Sequence, residues 1–404
     1  MKKQIGVIFG SRSCEREVSI ISAVQLMRYA DEDKYDIVPV YIDEQGVWYT
    51  GDPLKDIKSY MPFNPSAKGI IKVFPDLTSG SGALLFITRG NGLFSKDRLE
   101  IAARIDTYII VMHGMNGEDG TLQGLLEMAK VPYTSTGVAG SAIGMDKIVM
   151  KQFFSGAGLP VLPGEWFTRK EFGTNPGSIL STVSEKLGFP VFVKPANLGS
   201  SIGVSRADNE KELMDSLSLA FEYDRRVLVE KGLDKPIELN CSVLGYDDDI
   251  HASPIEMPLN HDDFLDFRDK YLGGNGSKGM ASLSRILPAP IDDELKQQIQ
   301  EMSIRIFRLM DCKGVVRIDY MYDRISEKLF ITEINTIPGS LAFYLWEKDG
   351  IPYSELINRM VVYAEKAFED RNLTNYAYTS DILKSASLGS KGTKGSKGTG
   401  KLKG

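Results

Sequence analysis

The chain has 404 residues, a length that implies two or three domains rather than one core. Hydrophobic residues make up 42% and charged residues 25%, the balance of a soluble globular protein. The formal charge of −6 argues against nucleic acid as a partner, and no stretch reaches the ~20 apolar residues of a membrane span, so membrane insertion is not expected.

Three cysteines, Cys14, Cys241 and Cys312, are odd in number and widely spaced, which fits the reducing cytoplasm as the location. Residues 4–9 form a short strand whose apolar run, 5–9, is too short for a signal peptide and ends in charge. A Gly10-Ser11 turn follows, then a helix from about Arg16 with Val18, Ile21, Ala23 and Val24 on one side, then a strand over 37–42. Strand, glycine turn, helix, strand is the opening of a doubly wound α/β unit, here without Gly-x-Gly-x-x-Gly. Residues 51–100, rich in Gly, Pro and Ser, read as an irregular insertion. A strand over 107–112 ends at a polar loop, 113–121 (HGMNGEDGT), the place where open α/β sheets bind ligands.

Residues 145–154 read as one helix opening a second unit. A strand over 190–194 runs into the loop 195–204, which offers backbone N–H groups and hydroxyls to phosphate without steric obstruction. Gly/Ser turns are common, and Lys194 and Lys147 are more often solvated lysines than phosphate ligands, so this loop needs context. Strands over 227–230 and 238–244 follow, the first ending at Glu230-Lys231-Gly232-Leu233, either a plain strand end or a hold on adenine and ribose. Residues 261–282 form a long polar loop of the kind used as a lid. A helix spans 292–310. Cys14 reads as a small packed residue, His251 and His261 as surface or loop residues, and Phe343, Tyr344 and Trp346 as packing. The tail from Lys384 carries six lysines and no acid and is expected to be disordered. Its segment 395–401 (GSKGTGK) mimics a Walker-A loop, but Leu402 stands where a Ser or Thr must bind metal.

The segment 313–340 (KGVVRIDYMYDRISEKLFITEINTIPGS) organises the chemistry. It reads as a β-hairpin with arms over 315–322 and 329–335. Strand residues two apart share a face, so Arg317 pairs with Asp319 on one arm and Glu333 with Asn335 on the other. Cross-strand neighbours can converge on one ion. Two carboxylates and an amide oxygen make a hard oxygen site suited to Mg²⁺ and substrate phosphates. A solvated hairpin with a surface ion pair explains the alternation but not these residue types.

At this point the chain resembles the D-alanine–D-alanine ligases of the ATP-grasp superfamily, from about residue 4 to about 370. The matching motifs are Glu15 to Ser19 (EREVS), His113-Gly114 through Glu118 to Thr121, and Met145-Asp146-Lys147. They continue with Val193-Lys194-Pro195, Gly199 to Val204, Lys270-Tyr271-Leu272, Gly314 to Asp319, Glu333 to Thr336 and Pro338-Gly339. The resemblance implies an α/β fold, α+β in the ATP-grasp part, in three domains. These are an N-terminal doubly wound substrate domain over 1–144, a central domain over 145–234, and a C-terminal domain with the hairpin over 235–375, before the basic tail 376–404.

It also implies a reaction: ATP phosphorylates one D-alanine, and the amine of a second small D-amino acid attacks the acyl phosphate, for peptidoglycan synthesis. Implied metal ligands are Asp319, Glu333 and Asn335, holding Mg²⁺ or Mn²⁺. ATP, the co-substrate, would meet Lys147, Lys194, Ser200, Ser201, Glu230, Lys231, Leu233, Glu238 and Lys270. Arg317 and the Gly339 N–H would stabilise the oxyanion. Glu15 would pair with the first substrate's ammonium, in a network with Ser200 and Tyr271. His113, Glu118, Lys270, Arg317, Ser340 and Tyr344 would line the amino-acid sites. The loop bearing Tyr271 would close over the acyl phosphate. A homodimer is implied.

The lactate-using vancomycin-resistance branch has His where Tyr271 stands, so Tyr271 favours an amine nucleophile. After Asn335 the family usually runs Pro-Gly-Met-Thr-x-x-Ser-Leu, whereas here Tyr344 occupies the place of that Ser. D-serine therefore stands beside D-alanine as second substrate, and a nucleotide-binding regulator without catalysis is the alternative of another class.

Overall fold

A computed structural model describes residues 2–90, 96–259 and 285–375. The chain opens with β1 (Lys3–Gly10), α1 (Arg16–Tyr29) and β2 (Tyr35–Ile42). The last six residues of β1 are all buried, as its unbroken apolar run requires of a strand covered on both faces. Next come β3 (Trp48–Thr50), β4 (Ile71–Pro75), β5 (Ala83–Thr88), β6 (Arg98–Arg104) and β7 (Thr107–Ile110). They form one sheet in the order β6-β5-β4-β3-β2-β1-β7, parallel where β1 meets β2 and β7 and antiparallel beyond.

The antiparallel half corrects the expectation of an irregular insertion over 51–100. Its strands are short, and exposed Ile87 pairs with exposed Leu99. A strand that leaves its apolar residues outside has no in–out alternation to betray it.

Helices α2 (Thr121–Ala129), α3 (Val138–Met145) and α4 (Lys147–Gly156) follow. The helix expected over 145–154 is α4, which starts two residues later, and Met145 is the last residue of α3. Asp146 is extended (φ −91°, ψ 102°), and its carboxylate accepts from the N–H groups of Ile148 and Val149, capping α4.

A second sheet, β10-β9-β11-β8, is antiparallel throughout. It comprises β8 (Gly164–Thr168), β9 (Val191–Pro195), β10 (Ser205–Ala207) and β11 (Arg226–Lys231), with α5 (Arg169–Thr174), α6 (Pro176–Lys186) and α7 (Glu210–Tyr223) between them. The third sheet, β13-β12-β16-β17, holds β12 (Ile237–Tyr246), β13 (Asp249–Ala252), β16 (Gly314–Asp323) and β17 (Lys328–Asn335). A two-stranded ladder pairs β14 (Met257–Pro258) with β15 (Arg285–Ile286). Helices α8 (Asp293–Leu309), α9 (Phe343–Lys348) and α10 (Tyr353–Asn372) complete the described chain.

The core of the first sheet takes in residues from far along the chain, among them Leu341, Trp346 and Leu356. Trp346 is fully buried, and its indole N–H donates to Ser242 Oγ at 3.1 Å. Truncating such a residue costs about 3–5 kcal/mol. Segments 341–346 and 3–10 are thereby held in one core, which places the turn after β17 beside the first sheet.

Among the described residues no helix is long and apolar enough to cross a membrane. The expectations for 261–282 and for the tail lie outside the described residues.

Candidate active site

The hairpin forms with the expected pairing. Asp319 lies opposite Glu333 and Arg317 opposite Asn335, while β12 sets Asn240 against Asp319 on the other side. The register shifts between Asp319 and Tyr320, so Thr332 is the extra residue, and its hydroxyl donates to the Asp319 carbonyl at 2.8 Å. A bulge at this point bends the strand and re-aims its neighbours.

Arg317 grips Asp319 through two bonds of 2.6 Å, and Asn335 Nδ2 adds a third at 3.0 Å. Burial pushes the Asp319 carboxyl up to about 6 despite Arg317, and Glu333 and Glu256 push the same way. Two hard carboxylates in register and an amide fit a divalent cation. Among the described residues no three His, Cys, Asp or Glu side chains gather as a metal set.

Lys147, the first residue of α4, reaches across the cleft. Its ammonium donates to the Leu198 carbonyl at 2.5 Å and lies 3.8 Å from Glu333. One lysine thus touches both the Gly/Ser loop and the hairpin. Lys194 donates to Glu230 at 2.6 Å, and Lys151 pairs with the same carboxylate. Burial opposes the ionised Glu230, but the two lysines overcome it and hold its pKa below the usual value. Lys151 was not anticipated; it lies one turn beyond Lys147 in α4 and is 6% exposed. Lys231 spends its ammonium on the Leu187 carbonyl, 2.7 Å away. Leu233 and Glu238 are part-exposed beyond β11.

Glu15 precedes α1, and the Ser200 hydroxyl donates to it. Two glycines make room for this carboxylate: a Cβ on Gly114 would lie 2.6 Å, and one on Gly199 2.7 Å, from Glu15 Oε2. Ser200 and Ser201 take left-handed φ values of 52° and 58° in the loop. A cleft of about 590 Å³ is lined by Arg12, Glu15, Gly114, Met145, Gly199 and Ile202 among others. Cys14 also lines it and is exposed, correcting the reading of a packed residue: it sits in the turn before α1, where the cleft keeps it open.

His113 and Glu118 converge on the turn after β17. His113 Nδ1 is 2.9 Å from the Ile337 carbonyl, and Glu118 accepts the Ile337 N–H at 2.9 Å and the Gly114 N–H at 2.8 Å. Burial pulls His113 down to about 4, so it is neutral. Burial, with Glu15 nearby, pushes Glu118 up to about 8. Gly339 and Ser340 open a tight turn in which Leu341 N–H donates to the Pro338 carbonyl at 2.7 Å.

Tyr344, with Phe343 and Trp346, is buried. Its hydroxyl donates to Glu256 at 2.9 Å, and Arg285 lies 3.8 Å above its ring while pairing with Glu256 at 2.8 Å. Glu256 and Arg285 were missed because nothing local in the sequence links them to Tyr344. Lys270 and Tyr271 lie outside the described residues.

A carboxylate hairpin, paired lysines and a Gly/Ser loop between two antiparallel sheets define a ligase of the ATP-grasp class. The comparisons narrow it. Residues 4–136 match the family model described as D-ala D-ala ligase N-terminus, and residues 153–362 match D-ala D-ala ligase C-terminus. The chain is 35% identical to the D-alanine–D-alanine ligase of Thermosipho africanus (strain TCF52B), over 94% of this chain and 97% of that one. It is 37% identical to that of Acetivibrio thermocellus, over 93% and 99%. Among solved structures it is similar to the VanG D-Ala:D-Ser ligase of Enterococcus faecalis, with a TM-score of 0.76 and 29% identity over 90% of this chain and all of that one. The chain belongs to the D-alanine–D-alanine ligase family.

Proposed function

We propose that this enzyme joins D-alanine to a second D-alanine at the expense of ATP, through an acyl phosphate, supplying peptidoglycan precursors in the cytoplasm. The supporting observation is the reach of Lys147, 2.5 Å from the phosphate-type loop and 3.8 Å from the hairpin carboxylate Glu333. It brings the groups that would hold phosphate and the groups that would hold metal into one cleft.

Phosphoryl transfer needs positioning and charge neutralisation more than covalent help from the protein. A carboxylate oxygen of the first D-alanine attacks the γ-phosphorus, and the bond to the ADP oxygen breaks. The second amine then adds to the acyl carbon, the C–O bond to phosphate breaks, and the amine's proton is lost. Asp319, Glu333 and Asn335 would hold Mg²⁺ or Mn²⁺, which supplies charge neutralisation for the triphosphate. Lys147, Lys194 and Lys270 steady the phosphates, with Ser200 and Ser201 in the loop. Glu230, Lys231, Leu233 and Glu238 shape the adenosine site. Glu15 receives the first ammonium, in a network with Ser200 and Tyr271. Arg317 and the Gly339 N–H face the oxyanion. His113, Glu118, Lys270, Arg317, Ser340 and Tyr344 line the amino-acid sites. The segments 1–144, 145–234 and 235–375 act as three working parts, in a homodimer.

A second reading, D-serine as the second substrate, is favoured by Tyr344 in the family's Ser position and by the likeness to a D-Ala:D-Ser ligase. Phosphate release with ATP and pairs of D-amino acids separates the cases. D-alanine alone should suffice. Release only when D-serine is added selects the second reading, and no release with any pair rejects both.

A further inference from the structure

The turn after β17 is built against its own backbone preferences. Ser340, Leu341 and Ala342 have φ of 48°, 56° and 49°, three successive left-handed residues with no glycine among them. Such a conformation persists only where the surroundings over-determine it. Part of that constraint comes from α1. The Ser340 N–H donates to Ser22 Oγ at 3.1 Å, and Ser22 Oγ lies 3.2 Å from His113 Nε2.

Proton positions along this chain of bonds follow from the partners. The Ile337 carbonyl can only accept, so His113 Nδ1 carries the hydrogen. Neutral His113 then has a bare Nε2, which accepts the Ser22 hydroxyl hydrogen. That leaves the Ser22 oxygen to accept from Ser340. Glu118 takes the Ile337 N–H. Both ends of the 337–340 segment are thus gripped from the first sheet's side, with Gly339 between the grips. Ser22 and Ser19 lie three residues apart on one buried face of α1. Alanine would serve helix propensity and packing better at both positions, so each hydroxyl needs a bonding reason. Ser19 has one in β1 and the strand beside it: it accepts the Gly10 N–H at 2.8 Å and donates to the Val111 carbonyl at 2.5 Å.

We propose that Ser22 is a positioning residue for the ligase reaction: with His113 and Glu118 it clamps residues 337–340 and so aims the Gly339 N–H at the reacting acyl oxygen. This rests on the oxyanion role given to Gly339 above. Ser22 touches neither nucleotide nor amino acid in this scheme.

Two measurements on the full chain test it. In steady-state kinetics, Ser22→Ala should lower kcat by about 10- to 100-fold, the scale of a misplaced rather than deleted donor. The KM for ATP should stay within about twofold, since the lysines and Glu230 sit elsewhere. The double variant Ser22→Ala, His113→Asn should be no slower than the slower single variant. A kcat for Ser22→Ala within about twofold of the parent, or a KM for ATP that rises in step with the loss, overturns the proposal. The second measurement needs no turnover. Nitrogen-15 NMR of protein labelled at its three histidines should find His113 as the Nδ1–H tautomer, with its Nε2 resonance displaced in Ser22→Ala. The Nε2–H tautomer, or an Nε2 resonance indifferent to Ser22→Ala, overturns the clamp whether or not the enzyme makes D-alanyl-D-alanine. A parent enzyme that releases no phosphate with any D-amino acid pair, yet shows the Nδ1–H tautomer, removes the assigned reaction and leaves the clamp standing.

Discussion

Replacing Arg317 by alanine removes two things at once. The guanidinium is the proposed oxyanion donor, and it is also the counter-ion of Asp319, joined to it by two bonds of 2.6 Å with only 13% and 14% of the two side chains exposed. Loss of one oxyanion donor lowers kcat by about 10²–10³, or roughly 2.7–4 kcal/mol of barrier. Loss of one partner from a buried pair costs about 3–5 kcal/mol of folding stability. Asp319, pushed up by burial against the pull of Arg317, then loses the group that restrains it. Arg317→Ala should therefore turn over about 10²–10³ times more slowly and unfold at lower denaturant, with the KM for ATP within about threefold of the parent. Arg317→Lys restores the charge but not the fork, and should recover only part of either loss. A coupled ADP-release assay with D-alanine in excess gives kcat, and urea unfolding gives stability. A folded Arg317→Ala enzyme with kcat within about tenfold of the parent would refute the oxyanion role.

Lys151→Met should cost about 3 kcal/mol of stability, because buried Glu230 keeps only Lys194 beside it, and an unchanged urea midpoint would contradict that. His113 makes stability depend on pH with a definite sign. Its folded pKa, about 4, lies below the ordinary 6.5, so its contribution is complete above about pH 6.5 and is lost as the pH falls toward 4. The contribution is about 3 kcal/mol at neutral pH. The difference in stability between parent and His113→Asn, followed by urea unfolding from pH 7.5 to 4.5, should shrink over that range, and a constant difference would be wrong for a buried neutral histidine. Gly199→Ala would put a Cβ 2.7 Å from Glu15 Oε2. It should raise the KM for the first D-alanine about tenfold and leave that for ATP nearly unchanged, as read by varying each substrate in turn.

The sequence carried the hairpin because its signal is local. Alternation fixes which side chains share a face, and the arms over 315–322 and 329–335 became β16 and β17 with Gly314, Asp323 and Lys328 added. The Asp319 bulge was not legible, since it depends on how Thr332 meets the facing strand. Asp146 looked like a helix residue and proved to be a cap, a difference set by one ψ angle. Strands β5 and β6 hid behind turn residues, because the outer part of β5 and most of β6 leave apolar side chains such as Ile87 and Leu99 exposed. Lys151, Ser22, Glu256 and Arg285 act through partners more than 50 positions away, except where Glu256 and Arg285 flank one segment. No local pattern announces such partners. His113 and Glu118 were singled out by motif, but their grip on Ile337 became visible only once the turn after β17 was seen against the first sheet.

Tyr344 has a consequence for how such a sequence can evolve. Restoring serine there in one step would empty the space of a phenol ring, remove the face on which Arg285 lies, and leave the Glu256 carboxylate one donor short in a buried setting. The three residues form an epistatic unit whose members are tolerable together and harmful apart. Tyr344→Ser should therefore do less harm when Glu256 or Arg285 is changed with it than when it is made alone.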